Sequence, residues 1–301
     1  STIESPAFQK MKAEGKTSKA PLTESFGEWK NLKIVILALL GLTAGQAVVW
    51  YTGQFYALFF LQTIAKVDGV TANLLIAASL VIGTPFFIVF GTLSDKIGRK
   101  PIIMAGCLLG ALSYFTVFPM LMGYANPALK AAQANSNVTV TADPATCSFQ
   151  GSPIAREIDF ISSCDQAKRV LAQNYIPYKN VAAPAGTVAS INIGTTTIPS
   201  LNTTLNDKRN GFSADSAKGI AEFKKTVLAA AKTAGLTAGA DDKGMNKGMI
   251  LAILVYLVIL VTMVYGPIAA MLVELFPTRI RYTSMSLPYH IGNGWFGGLL
   301  P

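Results

Sequence analysis

The chain has 301 residues, of which 51% are hydrophobic and only 14% are charged, and its mean hydropathy is +0.43. Soluble domains carry about 25% charged residues, so this composition excludes an ordinary soluble protein and is typical of a chain with membrane spans. The net charge of +9 does not indicate nucleic-acid binding, because the cations lie in the N-terminal segment, in short turns and in one insertion, without interleaved aromatic residues.

The first part of the chain is predicted to be a polar segment followed by membrane spans. Residues 1–31 are polar and rich in lysine, and we expect them to form a cytoplasmic linker. Apolar runs of about 20 residues are long enough to cross a bilayer. Residues 32–124 contain such runs, which predict spans at 32–64, 72–90 and 101–124.

The rest of the chain is predicted to hold an insertion and further spans. Residues 125–247 are polar and long enough for a small domain. Residues 248–301 are again apolar, with a span at 249–276 and a fifth apolar run that begins near residue 283. The Gly-Pro pair at 266–267 is expected to kink the fourth span.

Lysine and arginine concentrate in two short turns, which follow the second and fourth predicted spans. Cations in short loops face the cytoplasm, which places the linker inside and the insertion outside. The two placements agree, since consecutive spans alternate in direction. The cations are Lys96, Arg99 and Lys100 in the first turn and Arg279 and Arg281 in the second.

The insertion has the patterns of a small α/β domain. The stretches "NVTVTAD" and "TVASINIGTTTI" predict strands, and "SSCDQAKRVLAQNY" and "SADSAKGIAEFKKTVLAAAKTAGL" predict helices. Gly235 is expected to close the second helix. Cys147 and Cys164 are a candidate disulfide if the insertion lies in an oxidising compartment; the alternative is two free thiols.

The stretch "GTLSDKIGRK", residues 91–100, resembles the cytoplasmic loop signature of the major facilitator superfamily. Its flanks, "AVVWYTGQFYALFFLQ" and "YGPIAAMLVELFPTRIRYTSMSLPYHIGNGWFGG", are similar to spans 7 and 10–11 of the metabolite:proton symporter branch, which includes proline/betaine, shikimate and α-ketoglutarate carriers. The resemblance implies an all-α membrane protein and a fragment of a longer transporter. This C-terminal half of the major facilitator fold has about four complete transmembrane helices and part of a fifth, interrupted by a small α/β-like extracytoplasmic insertion.

The resemblance also implies that the charged turn is a conformational latch, which closes the cytoplasmic side in the outward-open state. Gly98 permits a tight turn, and Arg99 has two possible carboxylate partners, Asp95 and Glu274. The alternative is that the cations only fix the topology, which leaves Asp95 and the glycines unexplained. The predicted latch residues are Gly91, Asp95, Gly98, Arg99, Lys100, Glu274, Arg279 and Arg281.

Polar residues inside the predicted spans are candidates for a substrate cavity. Gln46, Trp50 and Gln54 recur at i, i+4 and i+8, which predicts one face turned towards water or substrate. The alternative is hydrogen bonding between helices. His290 is either a proton relay or a neutral group bonded to a neighbouring helix. The remaining candidates are Tyr51, Tyr265 and Asn293.

These observations predict a proton-coupled secondary transporter of a small polar metabolite, either an organic acid or a zwitterionic osmolyte, that works by alternating access. A uniporter and a membrane receptor with an exterior ligand-binding domain are the alternatives. Phosphate-binding loops and metal-ligand spacings are absent from the sequence, so we expect no enzyme activity, metal or cofactor, and a proton gradient as the energy source. The expected setting is the bilayer of a bacterial inner membrane, with a monomeric, multi-pass protein.

Overall fold

The structure is a computed structural model that describes residues 9–10, 13–14, 18, 20–152, 154–278 and 280–298. Contacts between Cα atoms divide the chain into two compact units. The first, here the membrane unit, comprises the described parts of residues 1–62, 69–124 and 246–301. The second, here the α/β unit, comprises residues 63–68 and 125–245, without residue 153.

The membrane unit begins with four helices, three of which are long and apolar enough to cross a membrane. The short helix α1 lies within residues 1–31, the predicted linker. Phe26 of this helix packs on apolar residues of the unit. The helices are α1 (Pro21–Gly27), α2 (Trp29–Ile64), α3 (Gly69–Ile97) and α4 (Arg99–Ala125).

Helix α2 is not a regular α-helix along its length. It contains wide π-helical stretches at Ala38–Thr43, Thr52–Tyr56 and Phe60–Ile64. A π-helix closes i→i+5 hydrogen bonds, so residues spaced by four no longer lie in a straight row. The predicted i, i+4, i+8 face is therefore rotated part-way along the helix.

The α/β unit contains a four-stranded sheet in the order β2-β1-β3-β4. Strand β1 pairs in parallel with β2, and the connection between them passes through a helix, as parallel strands require. Strands β3 and β4 form an antiparallel hairpin next to β1. The elements are α5 (Pro127–Asn135), β1 (Thr139–Ala142), α6 (Ser163–Gln173), β2 (Lys179–Ala182), β3 (Ser190–Ile193), β4 (Thr196–Pro199) and α7 (Ala214–Thr233).

Helices α6 and α7 pack on the sheet and form the core of the α/β unit. Leu171, Ile191 and Val227 are completely buried in this core. Gly235 has φ +76° just after α7, which agrees with the predicted end of that helix. Strand β2 and helix α5 were not predicted. Strand β2 gives no signal in the sequence, because all four of its residues are exposed and lack an apolar alternation.

The membrane unit ends with helices α8 (Lys247–Tyr265), α9 (Ile268–Leu275) and α10 (Arg281–Ile291). The break between α8 and α9 falls at the predicted Gly-Pro pair. Helix α8 packs against α2 and α3, and Leu254, Leu257 and Val261 on it are completely buried. The described structure therefore has four candidate membrane spans and one small sheet, and the predicted fold class is confirmed.

Candidate functional site

The charged turn lies between α3 and α4. Helix α3 ends at Ile97, and Gly98 follows with φ +96° and ψ 150°. Its N–H donates a hydrogen bond to the Ser94 carbonyl at 3.1 Å. This left-handed conformation strains any residue with a side chain, so glycine allows α4 to start directly at Arg99.

Arg99 connects the charged turn to the end of the fourth predicted span. Its Nη1 lies 3.0 Å from Asp95 Oδ1, and its Nε donates to Glu274 Oε1 at 2.8 Å. One guanidinium thus joins the ends of α3, α4 and α9. The side chains of Asp95 and Glu274 are 64% and 58% exposed, and exposed ion pairs contribute only about 0.2–1 kcal/mol each. Such contacts break and re-form at low cost.

The other predicted latch residues are placed differently. Arg281 Nε donates to the Phe276 carbonyl at 3.2 Å, and among the residues that the structure describes it forms no ion pair with Glu274. Lys100 likewise has no ion pair within the described ranges. At Gly91 a Cβ atom would meet nothing within 4 Å. Arg279 lies outside the described residues.

Gln46 is completely buried, so the face that was expected to meet water is closed at this position. Neither amide atom of its side chain has a hydrogen-bond partner among the described residues. A buried polar group without a partner costs about 1–3 kcal/mol and calls for an explanation such as a binding role. Farther along α2, Gly53 lies against Leu257 and Val261 of α8, while Gln54 is half-buried.

An aromatic cluster joins α2, α3, α8 and α10. The ring centroids of Trp50 and Tyr265 lie 4.3 Å apart, and Phe87 lies 6.2 Å from the Tyr265 ring. The hydroxyls of Tyr265 and Tyr289 are 3.1 Å apart. The structure therefore brings the candidates Trp50 and Tyr265 together. The structure adds Tyr289 to this cluster. Tyr289 adjoins His290 in the sequence, but it lies on a different helix from Tyr265, and no spacing along the chain predicts their contact.

Of the remaining cavity candidates, Tyr51 lines a different cavity, and within the described ranges His290 and Asn293 contact the cluster only through Tyr289. Tyr51 lines a separate cavity of about 400 Å³ between α2 and α4, together with Tyr56 and Tyr114. His290 is exposed, and its ring packs edge-on to Tyr289 at 5.6 Å. Asn293 Nδ2 donates to the Tyr289 carbonyl at 2.8 Å, so this donor is used within its own helical segment.

The α/β unit has a covalent cross-link at the predicted pair. A disulfide joins Cys147 to Cys164, with their Cα atoms 5.2 Å apart. It ties the loop after β1 to the first turn of α6. Within the described ranges, no group of three or more His, Cys, Asp or Glu residues is arranged to hold a metal ion.

Comparison with known families supports the superfamily suggested by the charged turn. Residues 3–142 match the family model described as Major Facilitator Superfamily, just under half of the chain. The matched segment includes α2, α3, the charged turn and α4. Proteins of this family are membrane transporters, so the match and the four candidate spans support a multi-pass membrane protein. No curated protein and no solved structure matches the chain.

Proposed function

We propose that the protein is a secondary active transporter, which moves a small polar metabolite together with protons by alternating access. The observation that carries the proposal is the position of Arg99. This residue lies in the segment that matches the transporter family, and it holds carboxylates from two separate membrane helices. A turn that served topology alone needs cations, but it needs no such bridge between helices.

In this mechanism, Arg99 acts as a reversible tie between helix ends. The tie to Asp95 joins residues four positions apart across Gly98 and is local, whereas the tie to Glu274 joins residues 175 positions apart in the sequence. Separation of α4 from α9 breaks the second tie and leaves the first intact. Because an exposed pair contributes about 0.2–1 kcal/mol, the closed state is favoured without being locked.

Gln46 is our proposed contact for the substrate. Its buried amide has both a free donor and a free acceptor among the described residues, which suits a carboxylate or a zwitterion. Trp50 and Tyr265, which lie on neighbouring helices, supply apolar surface and one hydroxyl. These groups support an organic acid or a zwitterionic osmolyte as the class of substrate, without choosing between the two.

We further propose that the protein lies in a bacterial inner membrane with the α/β unit outside the cytoplasm. The cations of the charged turn favour the cytoplasmic side for that turn. The Cys147–Cys164 disulfide is consistent with an oxidising compartment for the α/β unit. Protons, the metabolite and the lipid bilayer are then the partners of the protein.

Uptake of radiolabelled solutes into proteoliposomes tests the transport proposal. The purified protein is reconstituted, and uptake of one organic acid and one zwitterion is compared with and without an inward proton gradient. Symport predicts uptake that rises with the gradient and falls when a protonophore removes it. Uptake of equal rate in both conditions would favour a uniporter, and binding without uptake would favour a receptor.

A pair of glutamine variants tests the proposed substrate contact. Gln46→Leu is expected to reduce uptake about tenfold or more, since a buried hydrogen bond to a charged group contributes about 1.5–3 kcal/mol. Gln62→Leu, on the same helix, is the matched control and is expected to keep normal uptake. Normal uptake in Gln46→Leu at equal protein abundance would contradict the assignment.

A further inference from the structure

An apolar groove of about 520 Å³ lies between α2, α4 and α9 of the membrane unit. It is distinct from the aromatic cluster and from the cavity beside Tyr51, and none of its lining residues serves the proposed substrate contact. Its walls include Leu40 of α2, Met104 of α4 and Met271 of α9, and Lys100 stands at the end of α4 nearest the charged turn.

The shape of the groove follows from α2. The π-helical stretch Ala38–Thr43 contributes Ala38, Leu40, Gly41 and Leu42 to the lining of the groove. Gly41 lies in this stretch and lines the groove, and a Cβ atom placed there would meet nothing within 4 Å. The missing side chain leaves space that the large side chains around it do not fill. Leu40 and Met104 are each 58% exposed, so the groove opens to the surroundings of the unit.

Among the described residues that line the groove, Lys100 is the only charged one. Lys100 follows Arg99, whose guanidinium forms ion pairs with two carboxylates. Lys100 itself forms no ion pair within the part of the chain that the structure describes. Ile103 and Met104 lie one turn farther along α4 and continue the wall. The lining is therefore hydrocarbon with a single cation at one end, close to the end of the membrane-spanning helix.

We propose that this groove binds an anionic phospholipid, with one acyl chain along the apolar walls and the phosphate beside Lys100. The choice of occupant follows from the lining. An apolar acyl chain complements the walls, and a net negative headgroup complements the ammonium of Lys100, which has no ion pair with the described residues. A zwitterionic lipid has its own cation beside the phosphate and gains less from Lys100. The proposal depends on insertion in a bilayer and is independent of whether the protein transports a solute.

Native mass spectrometry of the purified protein with two lipids tests the headgroup. Dioleoyl phosphatidylglycerol and dioleoyl phosphatidylcholine have the same acyl chains and differ in net charge. We expect the wild-type protein to bind the anionic lipid about fivefold more tightly, the effect of one lysine near a membrane surface. Lys100→Gln is expected to abolish this preference and Lys100→Arg to keep it.

Lys96→Gln is the matched control for the cation. Lys96 lies in the same turn and is exposed, but it does not line the groove. The preference should survive in this variant. Equal binding of both lipids to the wild-type protein would overturn the proposal. An equal loss of preference in Lys96→Gln and Lys100→Gln would also overturn it, because the effect would then be general surface charge.

The acyl-chain part of the site is tested by filling the groove. Gly41→Leu places a side chain in the open space and is expected to weaken binding of the anionic lipid at least fivefold. Gly294→Leu is the control, because a Cβ atom there also meets nothing within 4 Å and Gly294 does not line the groove. Unchanged binding in Gly41→Leu would overturn the proposal. If that variant does not fold, the variants of Lys100 and Lys96 decide.

Discussion

The two units of the chain are built for different solvents. In the membrane unit, large apolar side chains point outwards, and Phe115 and Val81 are 87% and 75% exposed. In the α/β unit, Leu171 and Ile191 are completely buried between helices and sheet. The same residue types therefore stabilise the first unit through contact with lipid and the second through exclusion of water.

Two buried polar side chains, one in each unit, differ in their hydrogen bonds. In the α/β unit, Asp165 is almost completely buried and accepts hydrogen bonds from the N–H of Ser148 at 2.7 Å, from its hydroxyl at 3.1 Å and from Gln150 at 3.2 Å. In the membrane unit, Gln46 is buried without a partner among the described residues. A buried carboxylate with three donors stabilises one structure, whereas a buried amide without partners costs about 1–3 kcal/mol.

A matched pair of leucine truncations gives the largest expected contrast between the units. Leu171→Ala leaves a cavity in the core of the α/β unit and is expected to cost about 2–5 kcal/mol. Leu112→Ala removes a side chain that is 68% exposed on α4, and we expect a change within about 0.5 kcal/mol. Hydrogen exchange of the whole protein, read by mass spectrometry in α6 and α4, measures both. An equal loss of protection in α6 of Leu171→Ala and in α4 of Leu112→Ala would contradict this difference between the units.

Reduction of the disulfide is expected to destabilise the α/β unit alone. Cys147 and Cys164 are 17 residues apart, and closing a loop of this size contributes about 3 kcal/mol. Dithiothreitol should therefore increase hydrogen exchange in α6 and leave α2–α4 unchanged. A Cys147→Ser, Cys164→Ser double variant is the control, since its exchange should not respond to the reductant. Unchanged exchange in the reduced wild-type protein would contradict the prediction.

Removal of one carboxylate from the latch has a smaller expected effect, in the membrane unit. Asp95→Asn and Glu274→Gln each remove one exposed ion pair, worth up to about 1 kcal/mol. We expect transport to fall by up to about fivefold, while abundance and insertion stay normal. Initial uptake rates per protein measure this, with Lys96→Gln as a charge control in the same turn. Wild-type rates in both carboxylate variants would remove the latch from the mechanism.

Acid is expected to weaken the α/β unit through Asp143. Hydrogen bonds from the backbone N–H of Gly186 and then of Ala145 lower the pKa of Asp143 below its usual value of 3.8. The pKa of Asp143 is lower in the folded state than in the unfolded state. The stabilisation is therefore complete above the pKa of the unfolded state, and it disappears as the pH falls through the pKa of the folded state. The affected range thus lies below pH 3.8.

Pepsin digestion between about pH 4.5 and pH 2 measures this effect, since pepsin cleaves the unfolded unit in acid. Asp143→Asn does not titrate and should show a weaker pH dependence than the wild-type protein. Asp215→Asn, in the first turn of α7, is the control and should follow the wild-type curve. The same curve for all three proteins would show that Asp143 plays no part.

Much of the local structure could be predicted because it depends on neighbours in the sequence. The apolar runs predicted four spans, although α3 extends to Ile97, beyond the predicted end at residue 90. The Gly-Pro pair predicted the break between α8 and α9. Strand β2 could not be predicted, because an exposed edge strand is held by hydrogen bonds to β1 and has no apolar pattern of its own.

The candidate site was predicted less completely. The sequence offered Asp95 and Glu274 as alternative partners of Arg99, and the structure places both against it. The periodicity of α2 predicted that Gln46 faces water or substrate, and the packing of the unit excludes water by burying it completely. The contact of Tyr265 with Tyr289 joins separate helices, and no spacing within one helix predicts such a pair.

The sequence by itself determined the membrane character of the chain, the positions of the spans and the glycine that the charged turn requires, because hydropathy and backbone conformation are local properties. Only the tertiary structure decided which carboxylates meet Arg99, which residues of α2 line the apolar groove and where Lys100 meets it. These features arise where helices distant in sequence pack together, and the pattern within one helix does not specify its neighbour.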